Sequence, residues 1–175
     1  MHICDQIVLV TGGARGLGLA ITESLISEGA RVVVNYHTSK QQADVLANKY
    51  PKQVFAYQAD VTNKEQVQSL FMAAKEHFGS AITSIVNNAL VNFKFNGDLR
   101  PKIEDLSAEI MTQQFDGAVL AALNTTQAAL NDMKQANFGR IVNIGTNLVQ
   151  NPVVPYHDYT VAKSALLAFT RTSAQ

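Results

Sequence analysis

The sequence is poor in the features that mark several classes of protein. Its only cysteine, Cys4, rules out an intrachain disulfide framework and fits a reducing compartment. Fourteen lysine and arginine residues balance fourteen aspartate and glutamate residues, and this zero net charge argues against a nucleic-acid-binding surface. No apolar run is long enough to span a membrane, and the first residues do not resemble a secretion signal. We therefore expect a cytoplasmic protein with no nucleic-acid or membrane partner.

Nothing in the sequence divides the chain into parts. It has no linker, low-complexity segment or short-period repeat, and its 175 residues, 47% of them hydrophobic, suffice for one ordinary domain with a sizeable core. We therefore expect residues 1–175 to form a single domain. The histidines show no metal-ligand spacing, so we expect no metal site; they are His2, His37, His77 and His157.

Short apolar runs alternate with helical patterns along the whole chain. Strands are predicted over residues 7–10, 31–36, 54–59, 84–89 and 141–146, and the first, second and fifth should be buried. Helices are predicted from about residue 19 to Gly29, over 39–49, from Asn63 to about 78, over about 106–135, and from Tyr159 to about 174. This alternation predicts an α/β fold with a parallel, doubly wound sheet of the Rossmann type.

The first predicted strand runs into a glycine-rich turn, Thr11-Gly12-Gly13-Ala14-Arg15-Gly16-Leu17-Gly18, which a helix follows. Gly12 would permit the tight turn, while Gly16 and Gly18 would let the backbone approach a pyrophosphate and the helix pack close to the sheet. The free N–H groups and positive dipole end of a helix N-terminus suit phosphate. The strand–turn–helix context predicts a dinucleotide site; the alternative is a turn that merely favours glycine.

The residues after the second predicted strand bear on the choice of dinucleotide. An acidic side chain there would bind the ribose 2′-hydroxyl of NAD, but this chain has Asn35-Tyr36-His37-Thr38-Ser39-Lys40, with no acid. Arg15 in the glycine-rich turn could instead pair with the 2′-phosphate of NADP. We therefore predict NADP rather than NAD. The alternative is that Arg15 and Lys40 are solvated surface charges.

A tyrosine and a lysine that share one helix face carry the predicted chemistry. Tyr159 and Lys163 are four residues apart on a predicted helix, and Thr146 closes the strand before it. We predict that Tyr159 protonates the alkoxide formed when hydride reduces a ketone, that Lys163 lowers the pKa of the phenol, and that Thr146 holds the carbonyl. The alternative is a packed aromatic ring beside a snorkelling lysine. A second match to this spacing, Tyr36 to Lys40, straddles a strand exit and a loop, where the spacing aligns nothing.

The order and spacing of these motifs resemble the short-chain dehydrogenase/reductase family over essentially the whole chain. The motifs are the glycine-rich turn, Asp60-Val61, Asn87-Asn88-Ala89 and Tyr159-x-x-x-Lys163. The nearest similarity is to bacterial 3-oxoacyl-acyl-carrier-protein reductases. This resemblance implies an NADP-dependent oxidoreductase that reduces a ketone or 3-oxoacyl-type carbonyl, on a small molecule or an acyl thioester, and that assembles as a homodimer or homotetramer.

The resemblance also implies roles for individual residues. Asp60 and Val61 would contact the adenine, Asn88 and Ala89 would lie along the cofactor, and Asn87 would tie the central strands together. The whole predicted cofactor site comprises Gly12, Arg15, Gly16, Leu17, Gly18, Tyr36, His37, Asp60, Val61, Asn88 and Ala89, with Tyr159 and Lys163.

Four features depart from the family pattern. Thr146 replaces the catalytic serine, and Leu90 replaces the glycine after Asn-Asn-Ala. Ala118 replaces a helical asparagine that helps to hold a water, for which Gln114, one turn earlier, could substitute. The chain is also shorter than the family's usual length of roughly 250 residues, so we expect a fragment that lacks the last strands of the full fold. The alternative is that a partner chain covers the open edge of the sheet. A second hypothesis is therefore a nucleotide-binding protein without catalysis, or a regulatory one.

Overall fold

Strands and helices alternate in the computed structural model, which describes residues 1–174. The strands are β1 (Ile7–Val10), β2 (Arg31–Tyr36), β3 (Val54–Gln58), β4 (Ser84–Asn87) and β5 (Arg140–Asn143). The α-helices are α1 (Gly16–Ser27), α2 (Lys40–Lys49), α3 (Lys64–Phe78), α4 (Ala108–Phe115), α5 (Ala121–Gln135) and α6 (His157–Ser173). A π-helical segment, Asp116–Leu120, joins α4 to α5. Within the described range, no helix has both the length and the hydropathy that crossing a membrane requires.

All five strands pair in parallel, in the order β3-β2-β1-β4-β5. The central strand β1 aligns Val8 with Val32 of β2 on one side and with Ser84 of β4 on the other. The chain crosses from one half of the sheet to the other between β3 and β4. In doubly wound folds such a crossing opens a crevice at the carboxyl ends of the strands, where ligands bind. The predicted Rossmann-type sheet is confirmed.

The hydrophobic core lies on both faces of the sheet, because successive strand residues point in opposite directions. On one face, valines of β1 and β2 pack against α1 and α2; they are Val8, Val10, Val32 and Val34. On the other face, residues of the central strands pack against α3 and α5; they are Ile7, Leu9, Val33 and Ile85. Because both faces are covered, every residue of β1 is buried, as its continuous apolar run predicts.

Helix α3 begins and ends where its sequence predicts. The side-chain Oδ1 of Asn63 accepts a hydrogen bond from the backbone N–H of Gln66 at 2.9 Å, which satisfies one of the free donors of the first turn. The helix ends at Gly79, whose φ of 66° lies in the left-handed region that glycine adopts without a side-chain clash.

The fifth strand differs from its prediction in length and burial. It spans Arg140–Asn143 rather than 141–146, and its residues are alternately exposed and half-buried. Val142 is 43% exposed. The expectation of a buried strand is wrong because β5 is the last strand in the sheet order and pairs only with β4 among the described residues. A β-branched run does not by itself distinguish an edge strand from a central one.

The predicted helix over 106–135 is present but is not uniformly α-helical. It contains the π-helical segment, and the glycine within it, Gly117, lies against Val91 of the loop that follows β4. A Cβ atom at Gly117 would stand 2.8 Å from the Cβ of Val91. The helix and the loop therefore approach more closely than any larger residue would allow. Such π segments often occur at functional sites.

Candidate active site

The glycine-rich turn forms the N-terminal end of α1 at the carboxyl edge of β1. Gly12 has a φ of 63° and lets the chain turn sharply out of β1. Gly18 packs so closely that a Cβ atom there would stand 2.1 Å from the carbonyl oxygen of Gly12. The outer rim, Arg15, Gly16 and Leu17, is exposed, and a Cβ atom at Gly16 would meet no other atom within 4 Å. The turn thus presents backbone N–H groups at an open helix N-terminus.

A threonine that sequence reasoning passed over links this turn to β4. The Oγ1 of Thr11 accepts hydrogen bonds from the backbone N–H groups of Asn88 (2.9 Å) and Ala89 (3.0 Å). The side chain of Asn88 in turn donates to the backbone carbonyl of Thr11 at 2.9 Å. These bonds fix Asn88 and Ala89 beside the glycine-rich turn. They also explain why β4 ends at Asn87, two residues earlier than predicted.

The residues at the end of β2 and just after it differ in burial and in bonding partners. The Asn35 side chain donates to the carbonyl of Ala59 at 2.9 Å and accepts from the N–H of Gly12 at 3.4 Å, so it joins β2, the exit of β3 and the turn. The ring of Tyr36 is buried in the core cluster beneath α1 and α2, whereas His37 is exposed. Lys40 forms an exposed ion pair with Asp44 at 2.7 Å. Arg15 and Lys40 are the two cations considered for the 2′-phosphate of NADP. Lys40 is therefore already paired, with Asp44.

Asp60 and Val61 follow β3 at the same edge of the sheet. The Oδ1 of Asp60 accepts hydrogen bonds from the backbone N–H of Thr62 at 2.9 Å and from its hydroxyl at 2.7 Å, which forms a tight local turn. Val61 is buried, and the Asn124 side chain of α5 donates to its carbonyl at 3.1 Å. The predicted adenine contacts of these residues stay a prediction.

The structure brings Thr146, Tyr159 and Lys163 together at the carboxyl end of β5. Tyr159 and Lys163 lie on one face of α6 and are 5% and 4% exposed. The Nζ of Lys163 lies 5.9 Å from the centre of the Tyr159 ring. Thr146 begins the short turn Asn147–Val149, where its Oγ1 accepts from the N–H of Leu148 at 3.3 Å. The second match to the tyrosine–lysine spacing, Tyr36 and Lys40, does not share a helix, because Tyr36 ends β2 and Lys40 begins α2.

The pKa values of Tyr159 and Lys163 differ from those expected from the sequence. Burial raises the pKa of the Tyr159 phenol above its ordinary value, and the neighbouring Thr146 hydroxyl opposes only part of that rise. The predicted lowering by Lys163 is therefore wrong for this arrangement. Burial also lowers the pKa of the Lys163 ammonium to about 8. Lys163 directs its ammonium to the backbone carbonyl of Ile144, at 2.5 Å, rather than to the phenol.

A row of hydrogen-bonded polar side chains links the elements that carry the site. Thr125 of α5 donates to the Oδ1 of Asn87 at 2.9 Å, Asn87 donates to the Oδ1 of Asn143 at 2.8 Å, and Asn143 donates to the Oγ1 of Thr170 on α6 at 2.9 Å. The row crosses the sheet from α5 through β4 and β5 to α6. Asn87 thus joins β4 to the edge strand β5, and its predicted role of tying the central strands together stays a prediction. Among residues 1–174, no group of three or more histidine, cysteine or acidic side chains could hold a metal ion.

The comparisons with known proteins agree with this geometry. A family model described as short chain dehydrogenase matches residues 6–175. The chain belongs to this family. It is 32% identical over 187 residues to the NADPH-dependent aldehyde reductase 2 of Arabidopsis thaliana chloroplasts, an alignment that covers 99% of the chain and 67% of that relative. It is 34% identical over 177 residues to the 3-oxoacyl-[acyl-carrier-protein] reductase of Synechocystis sp., covering 97% of the chain and 67% of that relative. The chain thus spans about two thirds of the length of both relatives.

A solved structure shows the same fold. The crystal structure of FolM alternative dihydrofolate reductase 1 from Brucella canis, complexed with NADP, superposes with a TM-score of 0.86. Its sequence is 28% identical, and the match covers 99% of this chain and 68% of the other.

The space beside the tyrosine of this short-chain dehydrogenase is small. Leu90 and Gln114 line a cavity of about 10 Å³ together with Tyr159 and Lys163, which is about the volume that one water molecule needs. A second cavity of about 10 Å³ borders the other side of Lys163, next to Thr11. The buried amide of Gln114 donates to the carbonyl of Val91 at 3.1 Å. Gln114 therefore reaches the neighbourhood of Lys163, although its suggested replacement of the asparagine stays a prediction.

Proposed function

We propose that the protein is an NADP-dependent oxidoreductase that reduces a ketone or 3-oxoacyl-type carbonyl to an alcohol. The observation that carries the proposal is the convergence of Thr146, Tyr159 and Lys163 at the sheet edge that also carries the glycine-rich turn. A proton donor beside a dinucleotide site is what a carbonyl reduction needs.

The residues of the turn fit a dinucleotide. The space beside Gly16, the exposed rim and the N-terminus of a twelve-residue helix together offer room and N–H donors for a pyrophosphate. No acidic residue follows β2, and Arg15 is exposed in the turn, which supports NADP over NAD. The presence of NADP in the Brucella canis structure, whose fold matches, also supports this choice.

The proposed proton transfer involves the side chains of Tyr159, Thr146 and Lys163. A reduced nicotinamide, when bound, would supply the hydride. Tyr159 donates its phenolic proton to the carbonyl oxygen as that oxygen gains negative charge, while the Thr146 hydroxyl donates a hydrogen bond to the same oxygen. In this arrangement Lys163 does not stabilise the phenolate, because its ammonium donates to the carbonyl of Ile144; a role in the transfer requires that the ammonium turn toward the phenol. A phenol with an ordinary pKa is already protonated at neutral pH, and the raised pKa of Tyr159 makes it a weaker proton donor in this arrangement.

The substrate we favour is a carbonyl compound of a small molecule or an acyl thioester. The named activities of the Arabidopsis and Synechocystis relatives, reduction of an aldehyde and of a 3-oxoacyl group, support this class. We also propose that the protein assembles as a homodimer or homotetramer through the outer faces of α4 and α6, which expose Phe115, Val161 and Leu167. Sedimentation would test this: a monomer at micromolar concentration contradicts it.

A second function is favoured by the tight packing around the tyrosine. Leu90 occupies a position where the family pattern has glycine, and the cavity beside Tyr159 has room for only about one water molecule. Both features suit a protein that binds the nucleotide without turning over a substrate. Tight NADPH binding with no oxidation by any ketone or aldehyde would support this alternative.

The replacement Tyr159→Phe tests the primary proposal. It removes the phenolic proton and keeps the ring, so NADPH oxidation with a panel of ketones and a 3-oxoacyl thioester should fall by about a hundredfold or more, in line with the usual contribution of a general acid. NADPH binding, measured by calorimetry, should change little. The matched control is Tyr57→Phe, which alters a half-buried tyrosine of β3 away from the site. Unchanged turnover in Tyr159→Phe would reject the assignment.

A further inference from the structure

The loop that follows β4 covers the predicted proton donor with an aromatic side chain. The ring of Phe93 stacks on the ring of Tyr159, with centroids 4.2 Å apart and planes inclined by 26°. Phe95 meets Tyr159 edge-on at 5.7 Å and also contacts the ring of Tyr156 at 5.9 Å. The phenol therefore lies against a wall of rings that the loop supplies.

A buried ion pair holds the loop in this position. One Nη atom of Arg100 donates to both carboxylate oxygens of Asp158 at 2.6 Å, and the other donates to the carbonyl of Lys94 at 3.3 Å. The side chains of Arg100 and Asp158 are 8% and 2% exposed. Asp158 directly precedes Tyr159 in the first turn of α6, so the pair joins the loop to the helical turn that carries the phenol.

The guanidinium of Arg100 also packs against the aromatic wall. Its central carbon lies 4.3 Å from the ring centre of Phe93 and 5.4 Å from that of Tyr156. The ring of Phe93 therefore contacts both the Arg100 guanidinium and the ring of Tyr159.

This ion pair is better suited to fixing geometry than to adding stability. Burying two charges costs desolvation energy that their attraction only partly returns, and apolar residues of similar volume are often as stable. The Nε of Arg100 is also buried and has no hydrogen-bond partner among the described residues. What the pair provides is one defined arrangement of Phe93 over Tyr159.

We propose that Arg100 is a positioning residue for Tyr159. Through its ion pair with Asp158 it holds Phe93 against the phenol ring, which fixes the ring and keeps water from its covered face. We call this arrangement the Arg100 clamp. Its importance for catalysis rests on the proposed function, whereas the shielding of Tyr159 does not.

Nitration of tyrosines by tetranitromethane, mapped by peptide mass spectrometry, measures this shielding directly and needs no turnover. In the unaltered chain Tyr159 should be nitrated much more slowly than the half-buried Tyr50, which serves as an internal reference. Arg100→Met and Asp158→Asn should each raise nitration of Tyr159 by about tenfold or more, because breaking a buried pair leaves one unpaired charge and favours the open loop. Arg100→Lys, which keeps the charge, should restore part of the protection.

Two further variants separate positioning from folding. Lys75→Met removes the partly exposed ion pair with Asp132 and should leave nitration of Tyr159 unchanged. Phe93→Ala keeps the ion pair and uncovers the ring, so it tests the clamp even if Arg100→Met and Asp158→Asn fail to fold, which circular dichroism would reveal. The pH dependence of nitration should also show the pKa of Tyr159 moving down toward its ordinary value in Phe93→Ala and Arg100→Met.

The nitration results test the existence of the Arg100 clamp independently of enzyme activity. Persistent protection of Tyr159 in a folded Arg100→Met or Phe93→Ala variant would overturn it, and so would rapid nitration in the unaltered chain. A failure of Tyr159→Phe to affect turnover would reject the proposed function and leave the nitration pattern as it is.

Discussion

Lys163 donates a hydrogen bond from its side-chain ammonium to the backbone carbonyl of Ile144, over 2.5 Å, and so ties α6 to the exit of β5. The ammonium is nearly excluded from solvent, and this single carbonyl only partly replaces water, so the pKa of Lys163 falls to about 8. The lysine is thus held in place before any ligand arrives. Because this pKa lies below that of an ordinary lysine, the stability of the fold depends on pH.

The depressed pKa of Lys163 predicts a pH-dependent stability. The unfolded chain holds this proton up to a pKa of about 10.5, whereas the folded chain releases it near 8, so between these values the unfolded state binds more protons and stability rises with pH. From pH 8 to 9.5 the free energy of unfolding should rise by about 1 to 2 kcal/mol from this group. Below pH 8 the cost of the buried charge is fully present. Urea titrations at a series of pH values would measure the effect.

Lys163→Met is the matched control for this prediction, because it keeps a long side chain and removes the titrating group. The difference in unfolding free energy between Lys163→Met and the unaltered chain cancels the contributions of other groups. Tyr159, whose raised pKa acts in the opposite direction, contributes mainly above pH 10 and lies outside the window. A difference that does not change between pH 8 and 9.5 would contradict the assignment of the low pKa to Lys163.

The close contact at Gly18 predicts a large difference between two glycine replacements in one turn. In Gly18→Ala the new Cβ would stand 2.1 Å from the carbonyl oxygen of Gly12, so the backbone must shift. We expect a loss of about 3 kcal/mol, because strain from overpacking exceeds the gain of about 1 kcal/mol from replacing a helical glycine. Urea unfolding followed by circular dichroism would measure it.

Gly16→Ala is the comparison for Gly18→Ala. Its Cβ would meet no atom within 4 Å, so only the φ of 54° opposes it, at a cost of about 1 to 2 kcal/mol. Gly18→Ala should therefore be the less stable of the two variants. Equal stabilities, or a Gly18→Ala variant as stable as the unaltered chain, would show that the turn relaxes more easily than its contacts indicate.

Elements whose sequence signals are local could be predicted with nearly the right bounds. Strands β1 and β2 match their predicted ranges because each is a continuous apolar run that ends at turn-forming residues. Helix α3 was predictable from Asn63, whose side chain caps the helix without help from distant residues. The pair Tyr159 and Lys163 was predictable for the same reason, since helical spacing alone places them on one face.

Features that depend on contacts between distant segments could not be predicted. The early end of β4 follows from hydrogen bonds to Thr11, a residue 77 positions away from Asn88. The ion pair of Arg100 and Asp158 joins residues 58 positions apart, and neither segment carries a local pattern that signals the other. The direction of the Tyr159 pKa shift does not follow from the sequence, because spacing shows the nearby cation but not the burial that outweighs it.

Arg15 predicts how the chain distinguishes the two dinucleotides. It is exposed at the start of α1, in the turn that we propose binds the pyrophosphate, and no acid follows β2 to favour NAD. Arg15→Ala should weaken NADPH binding by about tenfold, since a charge-assisted contact with a phosphate contributes roughly 1.5 kcal/mol or more. NADH binding should change little, because NADH has no 2′-phosphate. Calorimetry with both nucleotides would measure the two affinities.

The control for Arg15→Ala is Lys40→Ala, which removes a cation that is already paired with Asp44 and is largely exposed. Exposed pairs of this kind contribute little to stability, so the fold should be unaffected. If Lys40→Ala weakens NADPH binding and Arg15→Ala does not, the 2′-phosphate lies at the start of α2 instead of in the glycine-rich turn. If the unaltered chain binds NADH as tightly as NADPH, the proposed NADP preference is wrong, because neither cation then discriminates between the nucleotides.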